Sequence, residues 1–600
     1  MPAPAFALVL LGALALALPL AARAGAGNRA PAEPTIDTGR APAEPTIDTG
    51  RAPAEPPTDA HPAAPAGPRT DPRLASPMAH AREIPSAAEL EALGAIVGQI
   101  HFENQDIFNE KDPRENIALY RLANDLHIKT RESALRAQLL FSEGEPYSSR
   151  LIRETERSLR RLDYLFDADI REVDWDGKRV TLLVVTRDVW SLQPGISYSR
   201  KGGAESSSLE LEEENLFGFG KRLTVARSKD EERTSLLVQW NDPNVFGSRW
   251  RDELAYADND DGHLRAADFE RPFYSLDSRW SAGVTGRDER RVDPRYDLNE
   301  VVDEFRHDIS FAELRGGWSK GLVDGWTRRL LAGFRYDRRR FAAEPGRLPP
   351  IALPPDRTLS YPWIGVHWIE DEFVETVNLN QIGRTEDLYY GTSWRLELGY
   401  SGESLGATTD AAIVAAAAGT GYRFGRAHRH SVFLTSSLTG RWASGDVEDG
   451  VLRGTAHYYW RWHPKRVFYA RVDGIATDNL DPEQQLLMGG DTDLRGYPFS
   501  YQAGTSRMQI TIEQRLYTDW FPFRLFNVGG AVFFDAGRTW GRGIAGTESL
   551  GWLKDAGFGL RLGNARSGFG SVIHLDLAFA LDRREGVDEV QFIVDTKRSF

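Results

Sequence analysis

Gly489-Gly490-Asp491-Thr492-Asp493-Leu494-Arg495-Gly496-Tyr497-Pro498 is the stretch that decides the fold. It stands between two runs that alternate as membrane strands do, Val467 to Asp473 and Met508 to Leu516. Its length and its Gly, Asp and Pro content predict a long structured loop. The loop carries one cation, Arg495, between Leu494 and Gly496. Further on comes Phe533-Phe534-Asp535-Ala536-Gly537, a strand-like run with Asp535 on the face opposite Val532 and Phe534. In a barrel that face points into the lumen. A loop Arg folded inward then meets this Asp as a partly buried, charge-assisted pair. The competing reading is an ordinary surface turn followed by an ordinary strand Asp.

The two segments in this order resemble the outer-membrane assembly and secretion superfamily that includes BamA, TamA and the two-partner-secretion transporters. In that family a VRGF/Y-type loop, here Leu494, Arg495, Gly496 and Tyr497, folds into the barrel. There it contacts an F-x-D-x-G strand motif, here Phe533, Asp535 and Gly537. Leu494 is a mild departure from the usual Val or Ile. Either motif alone is weak; both together outweigh the surface-turn reading.

Composition agrees with a barrel. At 600 residues the chain has room for several domains. The net charge of −14 disfavours a general nucleic-acid partner. Hydrophobic residues make up 41 %, and only the N-terminus has an apolar run long enough to consider as a membrane helix. Aromatics reach 11 %, with 16 Trp, which suits a barrel whose apolar residues are spread over alternate positions. With Cys at 0, no disulfide, lipid anchor on Cys or thiolate metal site is expected.

In chain order, residues 1–24 read as a signal peptide, with an apolar run from Phe6 to Ala22 and an Ala22-Arg23-Ala24 cleavage site. Residues 25–90 read as a disordered Pro/Ala-rich linker. In it Ala30 to Arg40 repeats as Ala41 to Arg51, too polar to bury a core. Residues 94–190 read as a small α+β domain. Ile96 to Phe102 predicts a strand, and Leu119, Leu122 and Leu126 have helical spacing. Thr130 caps a helix running to Leu140. Ser149 to Leu162 forms a further helix, and Tyr164 to Thr186 a hairpin turning at Asp176-Gly177. The order β-α-α-β-β, with a helical insertion after the first strand, resembles a polypeptide-transport-associated (POTRA) domain. The matching residues are Leu139-Leu140-Phe141, Gly144, Tyr147, Leu159, Leu162, Tyr164-Leu165-Phe166 and Val180 to Thr186. Arg150, Arg153, Arg157, Arg160 and Arg161 invite a lipid or acidic-partner reading, but Glu154 and Glu156 are interleaved, so a solvated helix face is the expectation.

Residues 191–600 turn to period two. Trp394, Leu396, Leu398 and Tyr400 alternate with Ser393, Arg395, Glu397 and Ser401, and Tyr458, Trp460 and Trp462 with His457, Arg461 and His463. This predicts a transmembrane antiparallel β-barrel with lipid outside and a polar lumen inside. Sixteen strands is the number the family implies, at about 25 residues for each strand and its connection. On the last strand Phe592, Val594 and the terminal Phe600 share a face, which resembles the C-terminal signal read by the barrel-assembly machinery.

No serine-hydrolase elbow, zinc-protease or phosphate-loop motif occurs, so no enzyme activity, catalytic residue, metal or cofactor is expected. Asp258 to Gly262 resembles the start of a calcium loop but has Phe269 at the twelfth position, so a solvated loop is expected. His574 and Asp576 are set to pair on the lumen face. The resemblance implies an outer-membrane barrel with its POTRA-like domain in the periplasm, helping polypeptides insert into or cross the membrane. Its implied partners are unfolded polypeptide clients, outer-membrane lipids and periplasmic assembly proteins. A passive solute pore and a structural or lipid-handling subunit are the alternatives.

Overall fold

The computed structural model describes residues 84–201, 204–230, 232–567, 572–582, 584 and 586–597. The expected signal peptide, most of the linker and Phe600 lie outside these residues. The first described element is helix α1 (Ala87–Ala92). The Ser86 hydroxyl accepts from the Glu89 amide, and the Glu89 carboxylate returns to the Ser86 amide at 2.7 Å. This reciprocal cap starts the helix, and Leu90 is wholly buried in the core of the small domain. The linker expected through residue 90 therefore ends earlier.

The small domain continues with β1 (Ile96–Gln105), α2 (Ala118–Leu126), α3 (Glu132–Arg136), α4 (Ser149–Arg160), β2 (Leu165–Trp175) and β3 (Arg179–Asp188). The sheet order is β1-β3-β2, with β1 parallel and β2 antiparallel to β3. Helix α4 lays Ile152, Thr155 and Leu159 toward the sheet, where Leu165, Val180, Leu182 and Val184 meet them. Two expectations change in detail. Arg131, not Thr130, precedes α3, because the Thr130 hydroxyl is engaged by Asp188 at 2.9 Å and by Asn215 at 2.8 Å. The three leucines of α2 face outward, because the helix packs through Tyr120 and Asn124 instead.

The second sheet is one antiparallel ring. It runs through β4 (Leu192–Lys201), β5 (Ala204–Glu213), β6 (Arg222–Lys229), β7 (Thr234–Asp242), β8 (Arg251–Asn259), β9 (Gly262–Arg271), β10 (Trp280–Asp297), β11 (Glu300–Val323), β12 (Trp326–Ala342) and β13 (Arg357–Glu370). A short hairpin, β14 (Phe373–Val377) and β15 (Thr385–Tyr389), stands outside the ring. The ring resumes with β16 (Ser393–Ser401), β17 (Ala411–Phe424), β18 (His430–Ala443), β19 (Asp446–His463) and β20 (Arg466–Asp478). A second pair outside it, β21 (Leu486–Met488) and β22 (Gln502–Gly504), belongs to the loop that carries Arg495. The ring ends with β23 (Ser506–Tyr517), β24 (Phe526–Trp540), β25 (Leu553–Asn564), β26 (Val572–Ala580) and β27 (Val590–Lys597).

The ring therefore has twenty strands among the described residues, not sixteen. Strands of about 9–11 residues already span a hydrocarbon core. Strands β4 to β9 are eight to ten residues long, with short connections between them, so six fit between Leu192 and Arg271. The ring returns on itself where β27 meets β4, and among the described residues that seam holds one registered pair, Val594 opposite Arg200. By contrast, β26 and β27 stay in register from Val572–Lys597 to Phe579–Val590.

Alternation sorts the side chains. Val284, Leu314, Leu330, Ile364, Leu398 and Phe558 stand exposed on the outer surface. Trp280, Trp368, Trp460 and Trp462 lie near the end where the small domain enters, and Tyr400 and Trp442 near the opposite end. Aromatic belts of this kind mark the two interfaces of a membrane. The inner face is charged and paired: Arg315 on β11 reaches Asp268 at 2.7 Å and Glu270 at 2.6 Å on β9. The end beside the small domain is called the near end below, and the other the far end.

Candidate functional site

The loop from Asn479 to Thr505 joins β20 to β23 at the far end and folds into the ring. Arg357 on β13 holds its first part through Asp481 at 2.9 Å and Glu483 at 2.6 Å. The β21–β22 pair and a turn over Gly490–Thr492 then bring Arg495 against the inner wall. Its Nε and one terminal nitrogen form a two-pronged pair with Asp535, at 2.7 and 3.0 Å. The other terminal nitrogen donates to Glu513 at 2.9 Å. The guanidinium lies 3.4 Å from the centroid of the Phe533 ring. A planar cation with five donors suits two carboxylates and a ring face at once; an ammonium does not.

Each remaining residue of the two motifs has a physical place. Leu494 and Tyr497 are wholly buried with Met488, Tyr501 and Leu553. The Tyr497 hydroxyl donates to the Lys554 carbonyl at 3.1 Å. A Cβ on Gly496 would stand 2.5 Å from the Asp555 Cβ, so the loop approaches the wall there only without a side chain. Likewise a Cβ on Gly537 would meet the Met488 sulfur at 2.6 Å. Phe592 is exposed on the outer face of β27 and Val594 is half-buried.

Several members of the site carry no motif. Glu513 is shared between Arg495 and Arg515, the latter at 3.0 Å. Arg561 takes Asp576 on two nitrogens, and Arg495 stands 3.6 Å from it. Asp555 lies directly across from Asp535 in the β24–β25 register. Apart from this facing pair of acids, Arg495, Arg515 and Arg561 are each set against a carboxylate, which lets buried charges persist. The available signal was charge on the inward positions of strand-like runs, as in Glu513 and Arg515 on β23.

The β14–β15 hairpin is the second device, and sequence reading missed it. It leaves the near end between β13 and β16 and reaches across the mouth. Its tip offers the Leu379 carbonyl to Arg515 at 3.1 Å and to the Tyr517 hydroxyl at 2.9 Å, and the Ile382 carbonyl to Asn527 at 2.9 Å. Leu379, Ile382 and Leu388 pack with Phe433, Tyr459 and Val467 of the wall. Inside the tip, the Glu386 carboxylate accepts from the amides of Leu379 and Asn380 at 2.7 and 2.8 Å. Burial outweighs these bonds and pushes its pKa up to about 7.

The small domain binds the base of this hairpin. Arg160 of α4 takes Asp387 with two nitrogens, at 2.8 and 2.6 Å, and Glu375 at 2.7 Å. Arg384 of the hairpin answers with bonds to the carbonyls of Arg160 and Leu165, and the Arg157 guanidinium lies 4.2 Å from the Phe373 ring centroid. Arg150 pairs with Asp277, in the turn between β9 and β10. The expected solvated arginine face is therefore a docking face, because acids that are distant in sequence come to it. Glu156 on the same helix accepts from the Ile170 amide at 2.7 Å, and burial raises its pKa to about 8. Bonds now run unbroken from the loop Arg495 through Glu513 and Arg515 to the hairpin, and from the hairpin to Arg160.

Residues 430–596 match the Omp85 superfamily domain, a span that contains the whole Arg495 site. Residues 125–200 match the POTRA family, described as a surface antigen variable number repeat. No curated protein matches the chain. Among solved structures, BamA from Haemophilus ducreyi lacking POTRA domains 1–3 is similar at 12 % identity, covering 83 % of this chain and 85 % of that one, with a TM-score of 0.37. CdiB from Escherichia coli is similar at 12 % identity, covering 84 % and 76 %, with a TM-score of 0.41. CdiB from Acinetobacter baumannii is similar at 11 %, covering 84 % and 73 %, with a TM-score of 0.40.

Proposed function

We propose that this chain, through a barrel of the Omp85 kind, assists polypeptides into or across the outer membrane. In this reading the POTRA-like domain lies in the periplasm and captures the unfolded client. The observation that carries the reading is the Arg495–Asp535 pair, which holds a whole loop inside the lumen. A passive solute pore gains nothing from filling its lumen with a loop and covering its mouth with a hairpin. A transporter needs such parts, because it must stay closed to solutes between clients.

Client capture falls to a sheet edge. On β2 that edge is already occupied at Ala168, whose carbonyl accepts from Arg160, and at Ile170, whose amide donates to Glu156. Strand addition is therefore assigned to the second half of β2, Arg171 to Trp175. The client then passes by the lumen or by the short β27–β4 seam. Its own burial of apolar surface in lipid, about 25 cal/mol per Å², supplies the driving force without a nucleotide. Quantitative proteomics after depletion tests the reading, on purified outer membrane and on culture medium. Loss of other barrels, or of a secreted or surface protein, is expected. No change in either fraction would contradict it.

A further inference from the structure

The segment between β1 and α3 carries apolar side chains that no core uses. Helix α2 packs inward through Tyr120 and Asn124, with Ile107 and Phe108 beneath it. Leu119, Leu122 and Leu126 stand on another side of the helix and are 66 %, 52 % and 64 % exposed. Ile117 and Ile128, just beyond the two ends, are exposed as well. Spacing of i, i+3 and i+7 puts the three leucines in one stripe. A small domain with its own complete core has no folding reason to build such a stripe.

The place of α2 in the fold says what covers it. The Tyr120 hydroxyl donates to the Phe523 carbonyl, in the near-end turn between β23 and β24. Arg566, in the turn after β25, binds Glu115 and the Ile107 carbonyl. Just past α2, the Arg131 amide donates to the Gly218 carbonyl and its Nε to the Phe217 carbonyl, in the turn between β5 and β6. The helix is thus tied to near-end turns on both sides of the β27–β4 seam.

Near-end turns, including two of these and the turn between β7 and β8, present apolar groups as well. Phe217, Phe246 and Phe523 each sit at the middle of a tight turn with φ between 53° and 55°. This left-handed backbone is costly for a bulky residue and is kept where function demands it. All three rings are exposed, Phe246 completely. They continue the near-end belt of Trp280, Trp368, Trp460 and Trp462 at the edge of the apolar band.

We propose that α2 is a membrane-interface helix: Leu119, Leu122 and Leu126 enter the acyl-chain boundary of the leaflet on the domain's side, beneath the β27–β4 seam. The occupant is lipid, because the stripe continues an aromatic rim that already faces lipid. Amphipathic helices bind this layer through one apolar face while the other stays in water. Docked so, α2 fixes the small domain against the bilayer at the seam that is most weakly paired among the described residues.

The absence of native cysteine makes the test direct. Leu119→Cys, Leu122→Cys and Leu126→Cys are made singly in the full chain, with Arg121→Cys and Asp125→Cys as comparisons. Each carries a nitroxide in phosphatidylcholine nanodiscs, and accessibility is read against oxygen and a water-soluble nickel chelate. The oxygen-to-nickel ratio is expected to be several-fold higher at the three leucine positions than at 121 and 125. Equal ratios at all five positions would put the helix in water and overturn the proposal. Protection of the leucine positions from both reagents would mean that protein, such as a second copy, covers the face, and would overturn it too. The measurement contains no client, so it stands or falls apart from the transport reading.

Discussion

Arg495 is the residue on which the site turns, and its geometry sets its predictions. It is buried against two carboxylates and a phenyl ring. Removing the cation leaves Asp535 and Glu513 short of a partner in a restricted space, at a cost of about 2–4 kcal/mol. Arg495→Ala is therefore expected to lose transport activity more than it loses heat-modifiable barrel on gels. Arg495→Lys is expected to behave almost as badly, since an ammonium cannot fork onto Asp535 while reaching Glu513. Equal loss of barrel and activity would count against this. Gly537→Ala is expected to push Met488 away and loosen the loop, read as faster hydrogen exchange over residues 486–504. Adding Met488→Ala should recover part of the protection, because the obstructing sulfur is gone. The motif residues were legible because chemistry and order both mark them. Glu513 and Arg561 were not, and Asp576 was placed on the lumen face without its arginine partners, because inward charges recur all along the ring and nothing local ranks one above another.

At the scale of elements, the hairpin and helix α4 form a latch. Arg160→Ala removes the cation that joins Asp387 and Glu375, so a larger and noisier conductance is expected in planar bilayers. The unchanged low conductance of the parent chain would contradict the latch. Glu386 makes the hairpin pH-dependent. Its pKa is about 7 when docked against an ordinary 4.5, so the docked hairpin holds an extra proton between those values. Docking is then strongest below pH 4.5, weakens as pH rises toward 7, and is level above. Conductance should rise over that window, and Glu386→Gln should flatten the profile. Glu156 acts in the same direction: protection of the Ile170 amide, corrected for intrinsic exchange, should fall as pH rises toward 8, and Glu156→Gln should remove the change. Of this latch only the arginine-rich face was visible in the sequence, with an acidic partner as the less favoured reading. Leu379 and Ile382 at the tip are isolated among polar residues, and the runs on either side, Phe373–Val377 and Thr385–Tyr389, are only five residues each, too short to stand out beside the ring strands. The partners of Arg160 lie more than two hundred positions away, so the interleaved Arg and Glu of α4 gave only the local picture of a solvated face.

The whole molecule is a POTRA-like domain clamped to a ring whose lumen holds a loop from the far end and a hairpin from the near end. Period-two alternation carried the barrel because lipid selects for it at every strand. The strand number did not follow, because turn lengths vary from two residues upward and alternation does not count strands. The bonds from Arg495 to Arg160 offer a physical route between loop and domain, although a route of contacts becomes coupling only when one end is shown to move the other. Arg160→Ala should therefore speed exchange in residues 486–504 as well as in the hairpin, whereas change confined to the hairpin would make the two devices independent. The central claim, that the Arg495-held loop serves polypeptide transport, is tested most directly in vesicles. Equal amounts of heat-modifiable parent chain and Arg495→Ala are reconstituted and offered a urea-unfolded eight-stranded outer-membrane barrel. The account predicts that the parent speeds formation of protease-resistant, membrane-inserted client and that Arg495→Ala does not. A parent no faster than empty vesicles, or a variant as fast as the parent, would contradict it.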